Sequence, residues 1–318
     1  MAFEHKSVLL EESVNALNVK EDGIYVDCTL GAGGHSSEIL KKLTTGYLYC
    51  FDQDEVAIEA ARARLSAISD RFTIIHANFK DLKKELNDRG IERVDGILFD
   101  LGVSSPQFDN AQRGFSYNHD GKLDMRMDRS QALSAYEVVN TYAYEDLVKI
   151  LYKYADEKFA KSIARAIERE RNKKPIETTF ELSEIVKSAI PARSRRKGGH
   201  PAKRAFQAIR IEVNDELNVF ESALRQAIDL VDVDGRIAVI TFHSLEDKIC
   251  KYIFREVTKQ PDIPANIPVI PEELKPQFIR ITRKPIMADE EELAVNRRSH
   301  SAKLRVIERA YDNEKSEL

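Results

Sequence analysis

The fold class can be predicted from residues 24–35, which are Ile-Tyr-Val-Asp-Cys-Thr-Leu-Gly-Ala-Gly-Gly-His. Residues 24–28 predict a buried strand, the glycines predict a tight turn, and a helix is expected over residues 35–43. A glycine-rich turn between a strand and a helix lets backbone N–H groups approach a ligand, as in nucleotide-like cofactor sites. The dinucleotide fingerprint Gly-x-Gly-x-x-Gly is incomplete, because Ser36 occupies its third glycine position counted from Gly31.

Strand-like and helix-like patterns continue to alternate after this stretch. Strands are expected at residues 47–51, 72–76 and 94–101, with helices at residues 55–68 and 81–87 between them. Short apolar runs between helical patterns are typical of a parallel sheet that is covered on both faces. The sequence therefore predicts a doubly wound α/β sheet.

The next clear strand, residues 236–242, follows a predicted turn at Asp234-Gly235 and is too far along the chain for a simple crossover. Helical patterns at residues 132–152, 157–172 and 178–189 fill the interval. We therefore expect a Rossmann-like sheet domain, residues 1–108 and 214–318, and an inserted, mainly helical domain, residues 109–213.

Two further patterns predict how the chain returns to the sheet. An apolar stripe from Phe206 to Ile228 predicts one long helix. A helix is expected at residues 245–257, and β-like runs at residues 278–282 and 303–308 predict an antiparallel hairpin that closes the sheet.

Composition excludes several classes of protein. The 318 residues have a net charge of −4, and no apolar run approaches the roughly 20 residues of a membrane span. Charges throughout the first thirty residues argue against a secretory signal, so we expect a cytoplasmic protein. The three cysteines (Cys28, Cys50 and Cys250) are too widely spaced to predict a disulfide or a zinc site, and no metal is expected.

Positive charge is concentrated in the predicted insert. Residues 158–210 hold fifteen Lys and Arg against five Glu, a local charge of +10. Residues 193–200 contain no acid and include Arg193, Arg195, Arg196 and Lys197, which favours contact with nucleic acid. The alternative is that these charges only form the solvated outer faces of helices.

Polar groups follow three strands at the edge where such sheets bind ligands. Asp27 precedes the turn, where an acid suits the amino group and sulfonium of S-adenosylmethionine. Asp52, at the end of the second strand, is placed to accept two ribose hydroxyls, and NAD enzymes use that position in the same way. After the third strand, Asn78 and Phe79 offer an amide and a ring to an adenine, although Phe79 is equally well explained as a core residue.

The fourth strand leads into Asp100-Leu101-Gly102-Val103-Ser104-Ser105-Pro106-Gln107. Enzymes that methylate an exocyclic amine have a Ser/Asn/Asp-Pro-Pro-aromatic segment at this place, and Ser105-Pro106 keeps its first half.

Phe115 and Tyr117, in the loop of residues 108–128, are candidates for stacking on a base, although such loops are as often packing flaps. His243 is a candidate substrate contact, with a structural histidine as the alternative.

Six strings in order resemble the bacterial 16S ribosomal RNA cytosine-N4 methyltransferases of the RsmH (MraW) type. The strings are Gly33-Gly34-His35-Ser36, residues 100–107, Arg113-Gly114-Phe115-Ser116, residues 123–128, residues 204–210 and residues 242–247. The resemblance implies a methyltransferase sheet with a helical insert, S-adenosylmethionine as cofactor, and a cytidine in the decoding (P-site) region of the small subunit's 16S rRNA as substrate. It also implies cofactor contacts from Gly33, Gly34, His35, Asp52, Phe79, Asp100 and Gln107.

Under this hypothesis, Asp100, Ser105 and Pro106 carry the catalytic step. The backbone carbonyls near residues 104–106, with Asp100 or Ser105, would hold the amine, and alignment would supply most of the rate. Three alternatives remain open: an NAD-linked oxidoreductase, a DNA amino-methyltransferase, and a non-catalytic ribosome assembly factor that binds RNA. The sequence also leaves open whether the protein is a homodimer.

Overall fold

A computed structural model of the protein describes residues 7–195, 199–260, 275–296 and 298–311. The chain divides into two compact units, Met1–Gly102 with Leu217–Leu318, and Val103–Glu216. The insert expected from the sequence, residues 109–213, begins six residues later and ends three residues earlier than the second unit.

The first unit is built on a seven-stranded sheet in the order β3-β2-β1-β4-β5-β7-β6. The strands are β1 (Ile24–Asp27), β2 (Tyr47–Asp52), β3 (Phe72–His76), β4 (Val94–Asp100), β5 (Val231–Thr241), β6 (Phe278–Arg280) and β7 (Lys303–Arg309). The first five strands pair in parallel, which confirms the predicted α/β fold. At the far edge β7 pairs antiparallel with both β5 and β6, as the predicted hairpin requires.

Helices cover both faces of this sheet. The first unit contains α1 (Leu10–Ala16), α2 (Gly34–Lys42), α3 (Glu55–Ser66), α4 (Leu82–Asn87), α12 (Glu216–Leu230), α13 (Ser244–Val257) and α14 (Glu290–Val295). Neighbouring strand residues alternate between two cores, so that Phe99 packs with α4, α12 and α13 while Leu98 packs with α1, α2 and α3. Burial on both faces explains why β1 to β4 and the second half of β5 consist mainly of apolar residues.

The strand order reverses between β1 and β4, which lie side by side at the centre of the sheet. β1 leads outward to β2 and β3, whereas β4 leads to β5 on the other side. Such a switch point leaves a crevice at the carboxyl ends of the strands, where open α/β sheets bind their ligands. Asp27 and Asp100 are the last residues of these two strands.

The second unit is helical. Its helices are α5 (Ser105–Asp109), α6 (Ala135–Thr141), α7 (Tyr144–Ala155), α8 (Ala160–Arg171), α9 (Thr179–Ala189), α10 (Ala192–Arg195) and α11 (Lys203–Asn214). The single helical pattern expected over residues 132–152 is two helices, because the chain is extended at Tyr142 and Ala143. Buried residues on α7, α8, α9 and α11 form the core of this unit, and they include Ile150, Ile163, Val186 and Ile209.

Two sequence predictions about the return to the sheet are wrong. The apolar stripe from Phe206 to Ile228 belongs to two helices, α11 and α12, because Asp215 adopts a left-handed conformation with φ 48°. The strand expected to begin at Arg236 begins at Val231, and the predicted turn at Asp234-Gly235 is an irregularity inside β5 where the register with β4 shifts.

A tight backbone approach at the amino ends of β1 and β2 provides a test of this packing. A Cβ on Gly46 would overlap the carbonyl oxygen of Gly23 and lie 2.8 Å from the backbone nitrogen of Gly23. Because both obstructing atoms are backbone, we expect Gly46→Ala to lower the free energy of unfolding by about 2 kcal/mol. Chemical denaturation measures this loss, and Thr45→Ala, at the exposed neighbouring residue, is the matched control. Equal stability of the two variants would contradict the described approach of the strands.

Candidate functional site

The turn after β1 is held in shape by the Asp27 carboxylate. Asp27 is buried, and it accepts hydrogen bonds from the Ser36 hydroxyl at 2.6 Å and the Thr29 N–H at 3.0 Å. One bond reaches into α2 and the other closes the turn, so both oxygens of the carboxylate are engaged by the protein itself. Asp27 therefore holds the turn in shape, and the ligand contact that the sequence suggested for it stays a prediction.

Asp52, at the end of β2, faces the same turn. Its carboxylate accepts the Gly31 N–H at 2.8 Å and the Asp54 N–H at 2.9 Å. Burial raises the pKa of Asp52 from 3.8 to about 6, although these N–H donors favour the ionised form. A carboxylate has about four acceptor positions, so Asp52 keeps capacity for a hydroxyl donor.

Asp100 ends β4, and the buried His35 side chain lies beside it. His35 Nδ1 is 3.5 Å from Asp100 Oδ2, and the backbone N–H of Asp100 donates to the Thr29 hydroxyl at 2.7 Å. Asp100 Oδ1 is buried and has no hydrogen-bond partner among the residues that the structure describes. A buried acceptor of this kind is unusual in a folded protein. It marks a position where a ligand can donate a hydrogen bond or place a positive charge.

Burial is also the main reason why the pKa of Asp100 rises from 3.8 to about 6. His35 opposes this shift, the negative charges of Asp27 and Glu246 add to it, and Arg298 opposes it. A carboxyl group surrounded by two other acids at a sheet edge is poised to bind a cation.

Gly33 and Gly34 lie at the start of α2. Gly33 is the N-terminal cap residue of the helix, and a Cβ on Gly34 would overlap the Ser7 hydroxyl. Residues 7–9 were not among the site residues expected from the sequence, yet Ser7 packs against Gly34 and the Val8 carbonyl meets His35.

After β3, Asn78 begins the short 3-10 helix Phe79–Asp81. The Asn78 amide is held by Gln53 and by the N–H of Lys80. Phe79 is partly buried, and its ring meets Phe99 edge-on with 5.9 Å between the ring centres. Both interpretations of Phe79 stay open, because it packs against the core and still has an accessible part.

In the second unit, residues 104–107 are the start of a helix. The Gln107 side chain is buried and accepts the backbone N–H of Ser104 at 3.0 Å, as in a capping box. The carbonyls of Ser104 and Pro106 accept the N–H groups of Phe108 and Asn110. Each carbonyl keeps its second lone pair.

The loop of residues 108–128 is packed within this unit. Phe115 is buried, with the Arg113 guanidinium 5.9 Å from its ring centre, as expected of a packing residue. Tyr117 is partly buried and stacks on His200, with ring centres 4.3 Å apart and an angle of 12° between the planes. His200 ends the basic run of residues 193–200 that the sequence suggested for nucleic-acid contact; it is exposed and completes an aromatic pair beside α11.

Only part of the basic cluster is unpaired. Arg169 and Lys173 pair with Glu170, Lys174 with Glu181, Lys187 with Glu184, and Arg210 with Glu216. In the described ranges, no acidic partner is found for eight others: Lys158, Lys161, Arg165, Arg171, Arg193, Arg195, Lys203 and Arg204. Arg196 and Lys197 lie outside the described residues.

His243 caps a helix of the first unit. It is the N-terminal cap residue of α13, and its Nδ1 accepts the Glu246 N–H at 3.5 Å. Glu246 is buried and accepts the N–H of Phe242 at 2.7 Å. This capping box fits the alternative of a structural histidine.

The unusual environment of Asp100 predicts a pH-dependent effect on stability. Below the pKa of an unfolded aspartate both states hold the proton, whereas between that pKa and about 6 only the folded state does. Stability therefore falls as pH rises through this window and stays lowered above it. Asp100→Asn removes this loss, so it should stabilise the protein by up to about 3 kcal/mol above pH 6 and progressively less below it.

Urea denaturation between pH 4.5 and pH 8 measures the difference between Asp100→Asn and the unsubstituted protein. Asp70→Asn, at an exposed loop residue, is the control. A stability difference that is the same at every pH would refute the assigned origin of the effect.

No described helix has both the length and the apolar character needed to cross a membrane.

Comparison with known proteins shows which family the chain resembles. A model of the MraW methylase family matches residues 2–310. The curated ribosomal RNA small subunit methyltransferase H of Exiguobacterium sibiricum is 62% identical over 96% of this chain and 98% of its own length. The protein of the same name from Limosilactobacillus fermentum is 59% identical, again over 96% and 98% of the two chains.

Among solved structures, a rRNA methylase from Streptococcus thermophilus aligns over 98% of this chain and all of its own, with 12% identity and a TM-score of 0.43. The match to the family model, which spans nearly the whole chain, decides against an NAD-linked oxidoreductase. The chain belongs to the MraW methylase family, and its cofactor is S-adenosylmethionine.

Proposed function

We propose that the protein transfers the methyl group of S-adenosylmethionine to the exocyclic N4 of a cytidine in the P-site region of 16S rRNA. The observation that carries the proposal is the end of β4, where Asp100 Oδ1 has no hydrogen-bond partner in the described part of the chain and Ser104-Ser105-Pro106-Gln107 follows within seven residues. The names of the curated relatives support a ribosomal RNA substrate in the small subunit.

The residues at the sheet edge fit the cofactor. S-adenosylmethionine carries an ammonium, a carboxylate, a sulfonium and two ribose hydroxyls, and the acids at the sheet edge suit its cationic groups and its hydroxyls. Asp52 would accept the ribose hydroxyls, Asp100 would attract the cationic part, and Phe79 would contact the adenine. Gly33, Gly34 and His35 would line the turn beside it, and Gln107 would complete the set that the family resemblance implies.

When bound, S-adenosylmethionine supplies an electrophilic methyl group on a positively charged sulfur. The residues of this chain then have to present the amine to that methyl group. The N4 lone pair of cytosine is delocalised into the ring, so an acceptor that bends the amine toward tetrahedral geometry helps more than a strong base. The family resemblance gives this role to Asp100, Ser105 and Pro106, and the side chain of Ser105 lies outside the described residues.

Most of the rate would come from alignment and fixed dipoles, because the proton can leave after methyl transfer. Asp100 has two roles in this scheme, which are to hold the cationic cofactor and to limit where the amine can lie. The target base must be extruded from the folded rRNA before these groups can reach it.

The helical unit would act as a substrate-recognition domain for rRNA. Its unpaired basic residues include Arg193 and Arg195, which are close in sequence to the exposed His200 of the aromatic pair. Basic residues beside an aromatic surface bind the phosphates and bases of single-stranded RNA. Tyr117 and His200 would offer the stacking surface, whereas a role for the buried Phe115 requires the loop to rearrange.

The proposed reaction predicts label from S-adenosylmethionine on one cytidine. Small subunits purified from a strain that lacks this protein are incubated with labelled cofactor, and the modified base is identified by nuclease digestion and mass spectrometry. We expect label on cytidine N4, and Asp100→Ala should reduce its rate at least about a hundredfold. Asp70→Ala is the control for an acid outside the site.

Other products would contradict the proposal in distinguishable ways. Label on another base refutes the N4 assignment, and preferential label on duplex DNA favours a DNA amino-methyltransferase. RNA binding with no label on any substrate favours a non-catalytic assembly factor.

The recognition role of the helical unit predicts a change in the salt dependence of RNA binding. The double variant Arg193→Ala/Arg195→Ala should bind a 16S rRNA fragment more weakly, and the slope of log affinity against log salt should decrease by about 1 to 1.5. The matched control is Lys173→Ala/Lys174→Ala, because both lysines pair with glutamates. Cofactor affinity should stay unchanged in both proteins. Equal loss in the two double variants would mean that only net charge matters.

A further inference from the structure

The segment of residues 7–9 has a strained backbone beside the candidate cofactor site. Leu9 is fully buried and has φ 50° and ψ 39°, a left-handed conformation that is rare for a bulky residue. Strain of this kind persists only where the surroundings enforce it, and it is common at functional sites. The contacts of the peptide group between Val8 and Leu9 show what enforces it.

Both ends of this peptide group have a buried partner. The Leu9 N–H donates to Glu292 Oε1 at 3.0 Å, in a bond that joins residues 283 positions apart. The Val8 carbonyl lies 3.1 Å from His35 Nε2. Because a peptide group is planar, its N–H and C=O point in opposite directions, and fixing one fixes the other. Glu292 therefore sets the direction in which the Val8 carbonyl meets His35.

The contact with Val8 determines which nitrogen of His35 carries hydrogen. A carbonyl oxygen only accepts hydrogen bonds, so Nε2 must be the donor. The other nitrogen, Nδ1, then faces Asp100 Oδ2 at 3.5 Å. In the neutral ring Nδ1 is a bare acceptor toward Asp100, and in the charged ring it is a donor. In both cases the alternative neutral tautomer, with hydrogen only on Nδ1, is disfavoured.

We propose that Glu292 is a positioning residue of the cofactor site, which acts through the peptide group between Val8 and Leu9 to fix the tautomer of His35 beside Asp100. The proposal rests on the proposed function in placing S-adenosylmethionine at this strand edge. Neither α14 nor Glu292 belongs to the cofactor set that the family resemblance implies. The groups that face Asp100 in the described residues are His35, Asp27, Glu246 and Arg298.

Loss of Glu292 should therefore change the site without removing any residue that touches the cofactor. In Glu292→Ala the buried Leu9 N–H has no acceptor, so the peptide group is expected to rotate and withdraw the Val8 carbonyl from His35. His35 is then free to carry its hydrogen on Nδ1, where it donates to Asp100 and competes with the cationic cofactor for that carboxylate.

The test combines two measurements on the full chain. Nitrogen-15 NMR of the imidazole groups identifies the tautomer of His35, and calorimetry gives the affinity for S-adenosylmethionine. We expect hydrogen on Nε2 in the unsubstituted protein, a shift toward Nδ1 in Glu292→Ala, and about tenfold weaker cofactor binding in that variant. Glu292→Gln keeps an acceptor oxygen and should restore both values to within about twofold.

Glu291→Ala, at the exposed neighbouring residue on α14, is the matched control. A purely structural role for Glu292 predicts a lower melting temperature with unchanged tautomer and affinity, and that result would overturn the proposal. A neutral His35 with hydrogen only on Nδ1 in the unsubstituted protein would also overturn it, even if Glu292→Ala fails to fold. For that case Glu292→Asp, which shortens the reach to Leu9 by one methylene, should shift the tautomer in the same direction.

The two proposals can fail separately. If the unsubstituted protein binds no S-adenosylmethionine, the placement of the cofactor at this edge is wrong, whereas the NMR comparison still decides whether Glu292 controls His35. If the cofactor binds normally to Glu292→Ala, only the role of Glu292 is refuted.

Discussion

The candidate site depends on one constraint: the turn after β1 is hydrogen-bonded to the ends of both neighbouring strands. The Gly31 N–H donates to Asp52 at the end of β2, and the Thr29 hydroxyl accepts the Asp100 N–H at the end of β4. Asp27 closes the turn from within. The three acidic residues therefore have fixed positions relative to one another, and none depends on a flexible loop.

Much of the sheet unit could be predicted because its sequence pattern is local. Buried parallel strands are apolar on both faces, so residues 47–51, 72–76 and 94–101 stand out between helical patterns, and the structure ends these strands within one residue of the prediction. The break between α11 and α12 was missed because an apolar stripe reports which face is buried and carries no information on a single left-handed residue such as Asp215.

The parts of the site that sequence could not reveal involve distant partners. Asp52 and Asp100 follow from their place at strand ends, whereas the bond from Leu9 to Glu292 joins the two ends of the chain. The helical start of residues 104–107 was also missed, because Ser-Pro dipeptides occur in turns as well as at helix starts. The basic residues with no acidic partner in the described ranges are another example. A sum of charges over the sequence counts every lysine and arginine alike, whereas the structure shows which of them form ion pairs.

The environment of Asp100 shows how stability and ligand binding oppose each other at this site. Asp100 Oδ1, a buried acceptor with no partner among the described residues, lies close to the negative charges of Asp27 and Glu246 and costs folding free energy that a hydrophobic residue would not. A cation that binds only to the folded state recovers part of that free energy. The charge arrangement that lowers the stability of the folded chain is therefore the one that favours a positively charged cofactor, and replacing Asp100 cannot raise stability without weakening cofactor binding.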